Sequence, residues 1–287
     1  MSASRHLARL LAAALLAAMP LTATMASADA GGADRENVVA ALSGSGLLNE
    51  PLALAGAVTT LGDVRISHHL TASDPTIDVT WDSKDAAGRP VLATARIARR
   101  VTGKLELHST AASGRDRFVS KDVDDDAVRQ ISLRRDGDRW RVTAISAEVL
   151  ASRGGRTLLP LVDLNTHAVS SGHLSILSDL DELAVLPQTC AVTPAGDVVR
   201  VFVSGVDRDA VVTVTAGGRS FAATSDGEAH FEAAVSLQGD ARLQTIGVTV
   251  YSRASVFDPS APADSRTWIL PILVGAPPAV GEQYFGS

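Results

Sequence analysis

Four aspartates crowd one stretch of the chain, KDVDDDAVRQISLRRDGDRWRVTAIS over 121–146: Asp122, Asp124, Asp125 and Asp126. Carboxylates at this density can ligate a divalent cation or share a proton in acid–base chemistry. Asp122, Asp124 and Asp126 take the first, third and fifth positions of a calcium-loop template. Its sixth position needs a glycine for the sharp turn and is Ala127; its twelfth needs a bidentate carboxylate and is Leu133. That kind of loop is excluded. A looser surface calcium site on two or three of these carboxylates stays open. Beside it stands the plainer reading, in which solvated acids lead into a strand and discourage edge pairing.

The histidines carry little joint chemistry. His68 and His69 are adjacent in the strand-like run VRISHHL, so they point to opposite faces and cannot chelate together. His108, His167, His173 and His230 show no H-x-H or H-E-x-x-H spacing, which points away from zinc. Ser43-Gly44-Ser45-Gly46 lacks one glycine and the preceding strand of a nucleophile elbow, and reads as a helix end. There is no phosphate-binding loop and no dinucleotide fingerprint. No catalytic, cofactor-binding or metal-binding residue is therefore assigned, and no cofactor is expected. If the first domain holds a cavity, the residues to test are His68, His69, Asp78 and Trp81, on consecutive predicted strands.

Cys190 is the single cysteine, so an intramolecular disulfide is impossible and the thiol reads as a small buried hydrophobe. LPQTC at 186–190 has the outline of a sortase signal, but no hydrophobic tail follows it, and it is dismissed.

The elements that must position these residues begin after an export segment. Arg5 and Arg9 precede the apolar run Leu10–Met19, Pro20 and the small-residue patterns Ala26-Ser27-Ala28 and Ala28-Asp29-Ala30, the outline of a secretory signal peptide over 1–28. Its removal takes two arginines and moves the formal charge from −6 to −8. A mildly acidic chain has no general attraction for nucleic acid, and no transmembrane segment is expected in the mature chain. The expected location is secreted or periplasmic, in a bacterium. With 46% hydrophobic and only 4% aromatic residues, the cores must rest on Val, Leu, Ile and Ala.

The fold expected is mainly β: an α+β domain over 31–157, in which helices pack on an antiparallel sheet, then an immunoglobulin-like β-sandwich over 158–275 and a tail over 276–287. A short helix is expected from Asp34, ended by Ser43-Gly44-Ser45-Gly46, and a second from Leu52 to Leu61. Strands are expected at 64–70, 76–81, 90–101 and 104–109, and at six further runs between 198 and 273. Asp136-Gly137 in a two-residue turn pairs Leu133 with Trp140 and Ile131 with Val142 on one apolar face. Gly217-Gly218 pairs Val214 with Phe221 and Val212 with Ala223. A three-residue loop at Ser225-Asp226-Gly227 would set Phe221 against Phe231 and Ala223 against Ala229.

The segment GVDRDAVVTVTAGGRSFAATSDGEAHFEAAV (205–235) resembles bacterial immunoglobulin-like modules, with a small-residue VTVT strand, a Gly turn and an Asp-Gly turn before an aromatic-bearing strand. The approach Glu228-Ala229-His230 is longer than in many such modules. The first domain, ending in DGDRWRVTAIS, is similar to the nuclear transport factor-like cone fold. Neither family has a catalytic motif to transfer. Together these features imply a non-catalytic module that binds a protein, a glycan or an envelope component. The alternative is an enzyme or small-molecule carrier with a cavity in the first domain. An enclosed apolar pocket with converging ionisable groups would favour that alternative; a filled core would favour the binder.

Overall fold

The computed structural model describes residues 28–45, 47–48, 54–110, 116–155, 161–166, 174–177, 183–185, 191–193, 195–237 and 243–275. The expected signal peptide up to residue 27, Cys190 with LPQTC, His167, His173 and the tail 276–287 lie outside them. The chain divides into two compact units, Met1–Arg35 and Glu36–Ser287. The described residues are mainly β, in largely antiparallel sheets, and none of their helices is long and apolar enough to cross a membrane.

Elements are numbered in chain order. Nine strands follow one hydrogen-bonded path: β1 (Val58–Leu61), β2 (Val64–Ala72), β4 (Pro90–Thr110), β5 (Asp116–Asp136), β7 (Glu148–Ser152), β18 (Ser265–Val274), β17 (Leu243–Tyr251), β13 (Val211–Ala216) and β14 (Arg219–Ala222). The last strand returns to the first, where Thr59 Oγ1 donates to Ser220 Oγ, and the sheet is nearly closed into a barrel. Four strands attach along it: β3 (Thr76–Lys84) on β4, β6 (Arg139–Ser146) on β5, β10 (Leu183–Val185) on β6, and β11 (Ala191–Thr193) parallel to β18. A second sheet has five strands, in the order β15 (Thr224–Ser225), β16 (Phe231–Ser236), β12 (Val198–Ser204), β8 (Leu161–Thr166) and β9 (Leu174–Leu177). The expected division at 157/158 falls inside the larger sheet, since β7 before it pairs with β18 after it.

Strand alternation sorts the cores. Val214, Val248, Trp268 and Leu270 of the larger sheet meet Val199, Val201, Phe231 and Val235 of the smaller one in a core between the two layers. On the other face of β13, β17 and β18, Thr213, Thr249, Thr267 and Ile269 point into the barrel, whose interior is completed by Ile66, Leu105, Val101, Ala127 and Leu150. The half of the long β4–β5 pair beyond the barrel, with β3 and β6, lies under helix α1 (Ala28–Gly44): Val38 and Leu42 pack on Ala93, Ala95, Ile131, Leu133 and Trp140. Each large side chain fully buried here contributes about 1.5–3 kcal/mol.

Several expectations need correction. Helix α1 begins at Ala28 rather than at Asp34, while its end at Gly44 agrees. The helix expected over Leu52–Leu61 is not formed by its described part: Leu54–Gly56 is a turn and Val58–Leu61 is β1. A strand forms there because β2 offers a hydrogen-bonding edge to Thr59 and Thr60, and tertiary pairing overrides a short apolar period. The runs 90–101 and 104–109 are one strand, β4, passing straight through Gly103.

In the β5–β6 hairpin the turn is Gly137-Asp138, one place further on than expected. Leu133 therefore faces Val142, and Trp140 faces Arg135. Positive φ at Gly137 alone (+61°) meets the requirement of a turn with glycine first, whereas Asp136-Gly137 needs both residues left-handed. The slip is even, so Leu133 and Trp140 keep the buried face. A bulge between Ser132 and Leu133 then sets Ile131 against Ile145 rather than Val142.

Val214 does pair with Phe221, and the Ala223 N–H donates to the Val212 carbonyl. At Ala223, however, the chain leaves the larger sheet for the smaller one. Phe231 then faces Ser225, not Phe221, and Phe221 is left 36% exposed. Asp226 organises a longer loop than expected, its Oδ1 accepting from Glu228 N at 2.7 Å and His230 N at 3.3 Å, with Ala229 at φ +65°.

Gly103 has a steric reason. A Cβ there would lie 2.0 Å from the His69 carbonyl oxygen, because β2 crosses β4 closely at that rung. Gly103→Ala is expected to destabilise the fold by about 1–3 kcal/mol, measured as a lowered urea midpoint at unchanged slope.

Candidate functional site

The aspartate cluster lies in the middle of β5, not ahead of it, and alternation splits it between two faces. Three carboxylates point outward into a cross-strand ladder of ion pairs. Asp122 meets Lys104 at 2.6 Å, Asp124 takes a two-pronged bond from Arg100 at 2.7 Å, and Asp126 meets Arg153 at 2.9 Å. The Arg100 bonds hold the Asp124 carboxyl below the usual range. Such exposed rungs contribute little stability each but fix register. Among the described residues, no group of three or more His, Cys, Asp or Glu is placed to hold a metal ion.

Asp125 points the other way. It is 4% exposed, inside the barrel, and its Oδ1 has no hydrogen-bond partner among the described residues. Burial, reinforced by Asp124, Asp126 and Asp264 and opposed by a bond from Ser152, pushes its carboxyl up to about 6. Lys121, Asp125 and Arg129, four residues apart, all face inward from β5. Lys121 Nζ donates to the Asp258 carbonyl at 2.6 Å, at the end of helix α2 (Arg253–Phe257), and burial lowers its pKa. Arg129 approaches Glu148, which Arg99 holds with paired 2.8 Å bonds.

The four expected pocket residues are not brought together. His68 is buried in the barrel, where it shares a 2.8 Å hydrogen bond with the Tyr251 hydroxyl, and the two rings stack 5.9 Å apart. Burial, with His69 adding to it, brings its pKa down to about 4. His69 faces outward and meets Glu106 at 3.1 Å. Trp81 tilts against Trp140, 5.7 Å away, at the α1-covered core. Asp78 is exposed on the opposite face of β3 from Trp81.

Tyr251 was not singled out by the sequence and is the hub of the interior. Burial drives its hydroxyl well above the usual range, against bonds from Thr213 and Thr249, and Thr249 Oγ1 lies 2.9 Å from Thr267 Oγ1. A signal for this polar lining existed in the alternation of VTVTA (212–216) and VTVY (248–251), where Thr213, Thr215, Thr249 and Tyr251 fall on the face opposite Val212, Val214, Val248 and Val250. Among the described residues His68, Asp125 and Tyr251 are buried, and a chemical role for His68 and Asp125 would need a path to a ligand.

Two concavities are found among the described residues. One, about 200 Å³, is lined by Val64, Leu107, Val119, Val256 and Phe257, on the face of β2 and β4 that also carries Ile66 and Leu105. The other, about 360 Å³, runs along the outer face of β4 among Ser73, Thr76, Arg96, Arg100 and Arg153. No protein-family model matches this chain, and neither a curated protein nor a solved structure does.

Proposed function

From the buried pairing of His68 with Tyr251, we propose that this chain is a secreted or periplasmic, non-catalytic binding protein acting through its outer surface on an envelope component. Residues 1–28 act as its export signal. The helix-covered half (31–157) and an immunoglobulin-like half (158–275) are its two modules, joined through a shared sheet. The carrying observation is the closure of His68 on Tyr251: the two most chemically apt interior groups satisfy each other at 7% and 1% exposure. A reactive pair needs access to its substrate, and among the described residues both of these groups are buried.

The test is co-sedimentation of the purified chain with insoluble bacterial cell-wall polymer. Saturable retention is expected, unchanged in Tyr251→Phe. Turnover of an ester, glycoside or phosphoester substrate, abolished by His68→Gln in a folded protein, would overturn the reading. It would favour instead an enzyme or carrier acting inside the barrel, the reading to which the displaced titrations of His68 and Asp125 lend their weight.

A further inference from the structure

The groove on the outer face of β4 carries a specific chemistry. Ala98 lies between Arg96 and Arg100 on that face, and its small side chain leaves a depression there, walled by Ser73 and Thr76 on one side and Arg153 on the other. Asp126 is the one carboxylate lining it.

The arginines are held in two different ways. Arg100 bonds Asp124 through Nε and Nη2, and Arg153 bonds Asp126 through the same two nitrogens. Each ion pair therefore fixes a guanidinium in place and uses one edge of it, leaving the Nη1 donors outside the pair. Arg96 makes no ion pair among the described residues, although Asp78 is its cross-strand partner. Around the depression stand Arg96, Arg100 and Arg153 against one lining carboxylate, Asp126, on a chain of formal net charge −6.

We propose that this groove binds a phosphate-type dianion, the group an envelope polymer or a small phosphorylated metabolite would present. The donors come from Thr76 of β3, Arg96 and Arg100 of β4, and Arg153 of the turn after β7, more N–H and O–H groups than the two oxygens of a carboxylate can use. That number suits an oxyanion with three terminal oxygens better than a carboxylate. The acidic charge of the whole chain offers no long-range pull on a polyanion, so recognition rests on these contacts rather than on a field. The inference deepens the binding reading by giving its ligand chemistry.

The test titrates the full chain with inorganic phosphate, following backbone amide shifts, with parallel arms of glucose 6-phosphate, glucuronate and glucose. Shifts at Ser73, Thr76 and Ala98 are expected with both phosphates, with glucuronate at least about tenfold weaker and glucose silent. Arg96→Ala is expected to weaken phosphate at least about tenfold, and Arg96→Lys less, because a point charge replaces a fork. Asp122→Asn, on the same face but outside the groove, should leave binding unchanged. Inorganic phosphate alone shifting these amides would assign the site to the free ion, and glucose 6-phosphate binding equally well would assign it to a carried phosphate. No shift with either phosphate, equal affinity in Arg96→Ala, or glucuronate binding as tightly would each overturn the proposal. Cell-wall retention that survives Arg96→Ala while phosphate binding is lost would leave the binding reading standing and remove the groove as its contact. Phosphate binding without any retention would do the reverse.

Discussion

Replacing Glu148 by Gln is expected to cost about 3–5 kcal/mol of folding stability. Glu148 opens β7 and reaches across the barrel wall to Arg99 of β4, with Nε–Oε1 and Nη2–Oε2 both at 2.8 Å, while Arg129 of β5 stands 3.8 Å from Oε2. The side chains are 5%, 9% and 2% exposed, so the charges are nearly stripped of water. Ala127 sits at the rung of Arg99 on the intervening strand, and its small side chain leaves the guanidinium room to cross. Gln keeps the volume and removes the charge, so two buried cations lose their shared counter-ion. Urea denaturation at neutral pH measures the cost. In a double-mutant cycle, Arg99→Met combined with Glu148→Gln should lose clearly less than the sum of the two. A loss below about 1 kcal/mol for the single variant would mean the pair is solvated in practice.

The second large effect is a pH dependence concealed by cancellation. For His68, with its folded pKa brought down to about 4 from 6.5, the unfolded chain takes a proton below pH 6.5 while the folded one does not. Stability is full above that pH and falls as the solution is acidified toward 4, by about 3 kcal/mol in all. Asp125 runs the other way. Its folded pKa stands at about 6 against 3.8, so above pH 6 the fold carries a buried carboxylate. Between 6 and 3.8 the folded chain takes up a proton that the unfolded one refuses, and about 3 kcal/mol is regained. From 6 down to 4 the two slopes oppose, and the wild-type contribution of this pair is nearly flat.

Single variants should expose each slope. Asp125→Asn is expected to be more stable than wild type at neutral pH and to lose stability steadily from about pH 6.5 to 4. His68→Gln keeps a partner for Tyr251 and should gain stability over the same acidification. Urea midpoints of the three proteins between about pH 3.5 and 7.5 decide it, and parallel curves would show that neither group is buried in the charge state described.

Much of this architecture is local in origin and was legible in the residues. The strands at 64, 76, 198 and 211, the end of α1 at Gly44, and the pairing of Val214 with Phe221 all follow from alternation and glycine placement, which act between near neighbours. The parity of the β5–β6 hairpin followed too, because an even slip leaves the dry face unchanged. What alternation cannot supply is which of two dry faces a strand turns to which partner. β13 is buried on both sides, and only the closing of β14 onto β1 makes one of them a barrel interior.

The aspartates show the same division. Their types and spacing excluded a calcium loop, and the pairing of β5 with β4 and β7 decided the rest. Three meet cations on the outer face because Arg100, Lys104 and Arg153 arrive there from distant parts of the chain, and Asp125 is turned inward as the odd member of an alternating row. The arginine groove likewise depends on side chains separated by up to 80 positions, from Ser73 to Arg153. Short-range sterics write themselves into neighbouring residues; the free energy of bringing remote charges onto one surface is settled only when the sheet closes.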